Sequence, residues 1–379
     1  MDCDIKMKII EVDLTNRYRI QQFIDLPFRI YRDIEQWVPP LATDTKKIFN
    51  LINNPFYKHS TASFFLAVTD DGSPIGRLAV LNNCNYNIFN HSKTAFFYLF
   101  ESYQDRHASL ELFNAGFRWA RDQGLEFIIG PKGFSALDGM GLLAKGFEHR
   151  PAFGIPYNPS YYPELIEAAG FLPTGDIISG YLGADIQFPE KITKIAELVQ
   201  QRRGLHIARF RTRRDLHALV TKLKDLYNGT LEGTSGNVPL TDNEAKAMAD
   251  QLIWFANPRL IKIIMKGDEP VGFLFAYPDI SEAVQRTKGQ IYPFGWIDLL
   301  LEMRRTKWIN INGAGILEQY RGLGGTAILF SEMFKSVAEG GYKHAEIVQI
   351  GVENDKMQRE LRELGIDFYK THRMYQRTL

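Results

Sequence analysis

The sequence predicts an α/β protein built from two copies of one pattern, and three observations predict it. A hairpin recurs: Phe64–Val68 turns through Asp71-Gly72 and returns as Pro74–Leu81, and Leu260–Met265 turns through Gly267-Asp268 and returns as Pro270–Ala276. Gly beside Asp between two apolar runs supplies the positive φ that a tight hairpin needs. Both return strands open on Pro, a β-branched residue and Gly, and Pro74 and Pro270 lie 196 residues apart. The second observation keeps that spacing: Asn158 opens NPSYYPELIEAAGF and Asn354 opens NDKMQRELRELGI, helical runs stopped by Gly170 and Gly365. The third is element order. After each hairpin come a strand, an amphipathic helix and a strand: Thr94–Glu101, Ser109–Gln123 and Glu126–Gly130, then Trp308–Leu317, Thr326–Glu339 and Ala345–Ile350.

Each element has its own warrant. Leu110, Leu112, Phe113, Phe117, Trp119 and Ala120 put a helical stripe on the first of those helices. Asp176–Leu182 reads as the last strand of copy one. Pro189–Arg203 is a charged helix, and Leu205–Phe210 opens copy two. The boundary is expected near residue 200, giving domains 1–200 and 201–379. The alternative is one large α/β domain with a fortuitous hairpin likeness.

Composition narrows the function classes. Apolar residues make up 45% and charged residues 23%, a globular balance. Lys and Arg total 45 against 44 acids, so neither a nucleic-acid nor a membrane partner is expected. No apolar run approaches the length of a membrane span, and MDCDIKMKII has no apolar h-region. Cys3 and Cys84 make no disulfide framework; a cytoplasmic, reducing compartment is expected. The histidines show no metal-ligand spacing, so no metal is expected.

The most informative stretch is Gly313–Phe330, GAGILEQYRGLGGTAILF. A strand runs into Arg321, Gly322, Leu323, Gly324 and Gly325, and a helix starts near Thr326. Successive backbone N–H groups at such a turn converge on an anion, and the helix N-terminus adds partial positive charge. The intervals do not match the dinucleotide fingerprint, and the P-loop Lys-Ser/Thr is absent. A tight turn without ligand is the alternative.

LEQYRGLGGTAIL resembles the acyl-CoA signature of GNAT-type N-acetyltransferases, Arg/Gln-x-x-Gly-x-Gly/Ala, with Gln319-x-x-Gly322-x-Gly324 or Arg321-x-x-Gly324-x-Thr326 as register. The second suits the Tyr-Arg-Gly lead-in better. VENDKMQRELRELGIDFYKTHRMYQ looks like the GNAT closing helix and strands. Nearly the whole chain resembles bacterial tandem-GNAT proteins without assigned substrates. The resemblance implies two tandem GNAT-like domains, each a mixed, mostly antiparallel sheet flanked by helices. It implies a CoA-dependent N-acyltransferase that moves an acyl group from acetyl-CoA or another acyl-CoA directly to a small amine or amino-acid-like acceptor. A non-catalytic acyl-CoA-binding protein is the alternative.

The resemblance also implies residues. Ile316, Leu317, Arg321, Gly322, Leu323, Gly324, Gly325, Thr326 and Asn354 would hold acyl-CoA, with a backbone N–H of Ile316 or Leu317 polarising the thioester. The family's helix tyrosine falls on Leu361, so Tyr369, with Tyr375 behind it, is the replacement acid; core packing is the alternative for both. Asp279, Glu282 and Glu318 are candidate bases. At the corresponding turn copy one has no glycine, and Glu101 and Asp105 would repel phosphate. CoA is therefore expected on copy two only. The glycine-rich loop Gly130–Leu143 is a surface loop or an acceptor wall.

Overall fold

The computed structural model describes residues 7–183, 188–208, 210, 212, 215, 220–231, 237–252 and 256–379. Cys3 and Arg209, at the end of the expected strand Leu205–Phe210, lie outside them. In chain order the strands are β1 Met7–Glu11, β2 Thr61–Thr69, β3 Pro74–Asn82, β4 Thr94–Ser102, β5 Phe127–Gly130, β6 Leu142–Lys145, β7 Leu172–Gly183, β8 Leu205–Ile207, β9 Ile261–Lys266, β10 Glu269–Pro278, β11 Trp308–Ile316, β12 His344–Gly351 and β13 Asp367–Thr378. The chain forms two compact units. One comprises Met1–Ile177, Val284–Trp296 and Lys370–Leu379, the other Ile178–Ala283 and Ile297–Tyr369.

In the first unit the strand order is β1-β2-β3-β4-β5, followed by the C-terminal part of β13. The β2–β3 hairpin pairs Phe64 with Ala79 and Ala67 with Gly76, and Gly72 takes φ +83° in its turn. β4 and β5 run parallel only from Thr94/Phe127 to Phe96/Ile129 and then part. Helix Arg106–Asp122 lays Leu112, Phe113 and Phe117 on the sheet. The rings of Phe97 and Phe113 each come within 5.5 Å of a neighbour in an edge-on cluster closed by Phe171. Burying each such ring stabilises the fold by about 1.5–3 kcal/mol. Tyr375 of β13 is fully buried in this same core.

The second unit repeats the plan in the order β8-β9-β10-β11-β12, continued by β7. Helix Gly325–Glu339 covers one face, packing Ile328, Leu329 and Met333 on Ile264, Leu274, Ile309 and Ile311. Each unit is thus a mixed, mostly antiparallel sheet flanked by helices, as expected. Gly170 and Gly365, both at φ +84°, follow helices Tyr162–Ala168 and Asp355–Glu363. The chain then leads each helix into a strand, β7 or β13, whose residues divide between the two units.

Candidate active site

The site is built where β11 and β12 separate. Their parallel pairing runs from Trp308/His344 to Ile311/Ile347 and stops. Beyond that point β11 keeps its ladder with β10. One extra residue bulges from β11 between Ile311 and Ala314, and Gly313 supplies its φ of +89°. Ile316 stands opposite Gly272, and Leu317 N donates to Val271 O at 3.0 Å. Successive N–H groups of a strand point to opposite edges. The Leu317 amide is therefore spent on β10, and the Ile316 amide faces the gap that β12 leaves.

The turn that follows is braced from below. Arg321 donates Nε to Ile316 O at 3.1 Å and Nη2 to Thr230 O at 2.9 Å. Gly322 and Gly324 both take left-handed backbone, φ +72° and +86°. A Cβ on Gly324 would lie 2.6 Å from Val199 Cγ2, whereas one on Gly322 would meet nothing within 4 Å. Gly324 therefore answers to helix Glu190–Arg203, and Gly322 faces open space. Leu323 is half-buried. A Cβ on Gly325 would press on Ile316 and Ile264, so this glycine seats the helix on the sheet. Gly324 caps helix Gly325–Glu339 and no side chain does. The amides leading into Thr326 thus form a helix N-terminus that no side chain among the described residues caps.

The opposite face of the sheet is polar. Ile309, Ile311, Ala345 and Ile347 belong to the helix-covered core, so alternation places Trp308, Asn310, His344 and Glu346 on the other side. Trp308 and His344 stack at 4.5 Å, and the Tyr181 hydroxyl meets His344 Nδ1 at 2.7 Å. Glu346 is buried, only 3% exposed, and accepts the Tyr369 hydroxyl. Burial first, then the charge of Glu346, drives the Tyr369 phenol far above its usual range. Asp279 is buried beside them and accepts from Ser281 Oγ at 2.7 Å, Asn310 Nδ2 at 2.8 Å and Ser281 N at 3.3 Å.

The matching turn of the first unit is closed. β4 carries the same bulge, with Leu99 at φ +51°. There Lys132 N donates to Phe97 O at 3.0 Å across the point where β4 and β5 part, and Gly130 lies so close that a Cβ would strike Phe97 O. Asp105 caps helix Arg106–Asp122 through Ala108 N. Glu101 does not face solvent, contrary to the expectation that it would repel a phosphate there. It is turned inward, accepts the hydroxyls of Tyr31 and Tyr162 at 2.7 Å each, and lies 3.5 Å from Arg77.

No protein-family model matches the chain. It is 25% identical to Protein YghO of Escherichia coli over 374 residues, 96% of this chain and 94% of that one. It is also 25% identical to a bacterial ceramide synthase of Caulobacter vibrioides over 372 residues, 95% of each. Among solved structures, a tandem GNAT protein from the clavulanic acid biosynthesis pathway superposes with TM-score 0.55 at 9% identity, covering 98% of both chains. A GCN5-related N-acetyltransferase from Sphaerobacter thermophilus superposes with TM-score 0.51 at 13% identity, covering 98% of this chain and 95% of that one. The chain has the GNAT fold.

Within that GNAT fold the residues singled out in the sequence separate into groups. Ile316, Gly322, Leu323, Gly324, Gly325 and Thr326 gather at the gap and turn. Arg321 braces the turn, and Leu317 is committed to β10. Asn354 accepts from Met357 N and caps helix Asp355–Glu363. Asp279 and Tyr369 share the polar face, whereas Tyr375 donates to Glu167 in the first unit's core. Glu282 and Glu318 are exposed. Leu361, at the family's tyrosine position, is fully buried among apolar side chains. Sequence reasoning missed Glu346. Its one signal was a carboxylate inside the apolar run Ala345–Val348, on the strand after the glycine turn.

Proposed function

We propose that the chain is an N-acyltransferase that takes its acyl group from CoA and passes it directly to an amine, using the second unit. The observation that carries this reading is the contrast between the two turns: a glycine-capped helix N-terminus with no side-chain cap beside parted strands in one, an Asp-capped helix beside a bridged pair in the other. In this reading the turn Gly322–Thr326 receives the pyrophosphate, and the Ile316 amide donates to the thioester oxygen as negative charge develops there. Glu346 takes the proton of the attacking amine. Tyr369 is a better holder of Glu346 than an acid, because burial and the neighbouring carboxylate make its phenol a weaker proton donor. Water protonates the leaving thiolate. Asp279, with three donors, fixes the polar face rather than exchanging protons.

The donor is acetyl-CoA or a longer acyl-CoA, and the acceptor a small amine. A second reading of the acceptor, an amine-bearing lipid, is supported by the relative named a bacterial ceramide synthase, which matches over nearly the full length of both chains. The test is a calorimetric titration with acetyl-CoA and longer acyl-CoAs, followed by thiol release with small and lipid amines. One site per chain and amine-dependent thiol release are expected. Binding without release under every amine leaves an acyl-CoA-binding protein; absence of binding removes the reading altogether.

A further inference from the structure

The connection between β10 and β11, residues 279–307, is far longer than its counterpart 83–93 in the first half, and it carries an apolar tip. Tyr292 and Phe294 are both 72% exposed, and Leu301, Trp296 and Ile297 are exposed by 49%, 41% and 40%. The tip is held, not loose. Trp296 N donates to Ile291 O at 2.9 Å, Trp296 Nε1 donates to Pro293 O at 3.1 Å, and Gly295 lies so close to Gln290 O that no side chain would fit. These bonds present the rings outward from a fixed turn.

Around the tip exposed cations outnumber exposed acids, of which Glu282 stands on the lead-in segment. On helix Gly295–Arg305 the two acids, Asp298 and Glu302, are paired with Arg305 at 3.4 and 2.8 Å, and Glu302 is buried. Arg286, Lys288, Arg304 and Lys307 are exposed on the segments that lead into and out of the tip. Ile297, Leu301 and Arg304 follow one another at helical spacing, so the apolar stripe ends in a cation. Aromatic rings at the front with cations behind them fit the boundary between acyl chains and anionic headgroups.

We propose that this connection docks the protein on the surface of an anionic phospholipid bilayer, with Tyr292 and Phe294 entering the headgroup region and the basic residues meeting the lipid phosphates. The sequence expectation of no membrane partner rested on apolar-run length and overall charge, and neither measures a local surface patch. Docking accounts for how an amine-bearing lipid acceptor would be reached, and to that extent it extends the proposed function; the docking itself needs no CoA.

The experiment is flotation of the full chain, without CoA, on vesicles of phosphatidylcholine alone or with roughly a quarter phosphatidylglycerol. The wild type should float with the anionic vesicles and be partly released by about 0.5 M salt. Tyr292→Ser with Phe294→Ser should lower the bound fraction at least tenfold at unchanged melting temperature, since both rings are exposed. Arg304→Glu with Lys307→Glu should remove the preference for anionic vesicles. A wild type that stays unbound at every composition overturns the proposal, as do ring variants that float like wild type. A dimer seen by light scattering and broken by the ring substitutions, without vesicle binding, overturns it too, because a second copy would then be the occupant. Failure of acyl transfer leaves this result standing, and failure of flotation leaves the CoA titration standing.

Discussion

Replacing Gly322 by Asp should weaken acyl-CoA binding about a hundredfold, and replacing it by Asn should not. The pair separates charge from shape. Gly322 has φ +72° and open space where a Cβ would go, so either side chain costs only backbone strain. Asn and Asp tolerate that region best, and the strain is about 1 kcal/mol for each. The carboxylate differs by its charge. Placed about 5 Å from a pyrophosphate at an effective dielectric of about 40, it is repelled by about 1.7 kcal/mol per phosphate charge. Two such charges cost about 3 kcal/mol, on the order of a hundredfold in Kd. The assay is calorimetric titration of both folded variants with acetyl-CoA or the acyl-CoA that binds wild type. The gap between them should narrow as salt rises, because the turn is exposed. Equal affinity of Gly322→Asp and Gly322→Asn would show that no phosphate sits at this turn. Gly324 is the poorer probe: its Cβ would strike Val199, so Gly324→Val adds overpacking of about 1–3 kcal/mol to the strain and confounds binding with folding.

Glu346→Gln should lower the rate of amine acylation by about 10²–10³ while the acyl-CoA Kd stays unchanged, and stopped thiol release checks it. Tyr369→Phe should cost about tenfold in kcat with unchanged Kd, as expected of a group that orients Glu346; a loss equal to that of Glu346→Gln would make it the acid instead. Asp105→Ala should cost about 1 kcal/mol in thermal melts by removing a helix cap, without raising the titration stoichiometry above one per chain. His372 is fully buried and its imidazole is pushed down to about 4 by loss of solvation. The unfolded chain therefore binds its proton first. Stability is complete above the ordinary histidine range and is lost as pH falls from about 6.5 through about 4, by about 3 kcal/mol in all, and His372→Gln should flatten that slope in denaturant titrations.

How far the sequence reached depends on the range of the interaction concerned. The hairpins at Asp71-Gly72 and Gly267-Asp268, the helix stops at Gly170 and Gly365 and the glycine turn were legible because each is fixed within a few residues. Which of Ile316 and Leu317 turns its amide away from β10 was not. It follows from the register of β11 on β10 and from the bulge at Gly313, and a one-residue slip would exchange their roles. Glu346 stayed hidden for a related reason: only the alternation set by Ala345 and Ile347 in the core shows that its side chain leaves the apolar layer. Glu101 misled in the opposite direction, since a carboxylate next to a turn reads as exposed until Tyr31, Tyr162 and Arg77 are seen around it. The division of β7 and β13 between the units rests on pairings far apart in the chain, which no local pattern encodes.

The two halves also act as a control on each other. Both carry a bulge in the strand before the turn, at Leu99 and at Gly313, and both let the parallel pair part after three or four residues. Parted strands are therefore common to both halves and do not distinguish them. What differs lies in a handful of groups. In the first half the Lys132 amide satisfies the Phe97 carbonyl across the gap, and Asp105 both occupies a helix amide and places a negative charge where an anion would rest. In the second half the Ile316 amide faces the edge that β12 no longer pairs and the helix begins on glycine. A buried or half-buried N–H seeks an acceptor. In the first half the protein supplies its own; in the second, under the proposed function, the position is left to a thioester oxygen and a phosphate. On the proposed reading the two halves differ less in the sheet, which both share, than in whether the chain satisfies its own polar groups at one turn.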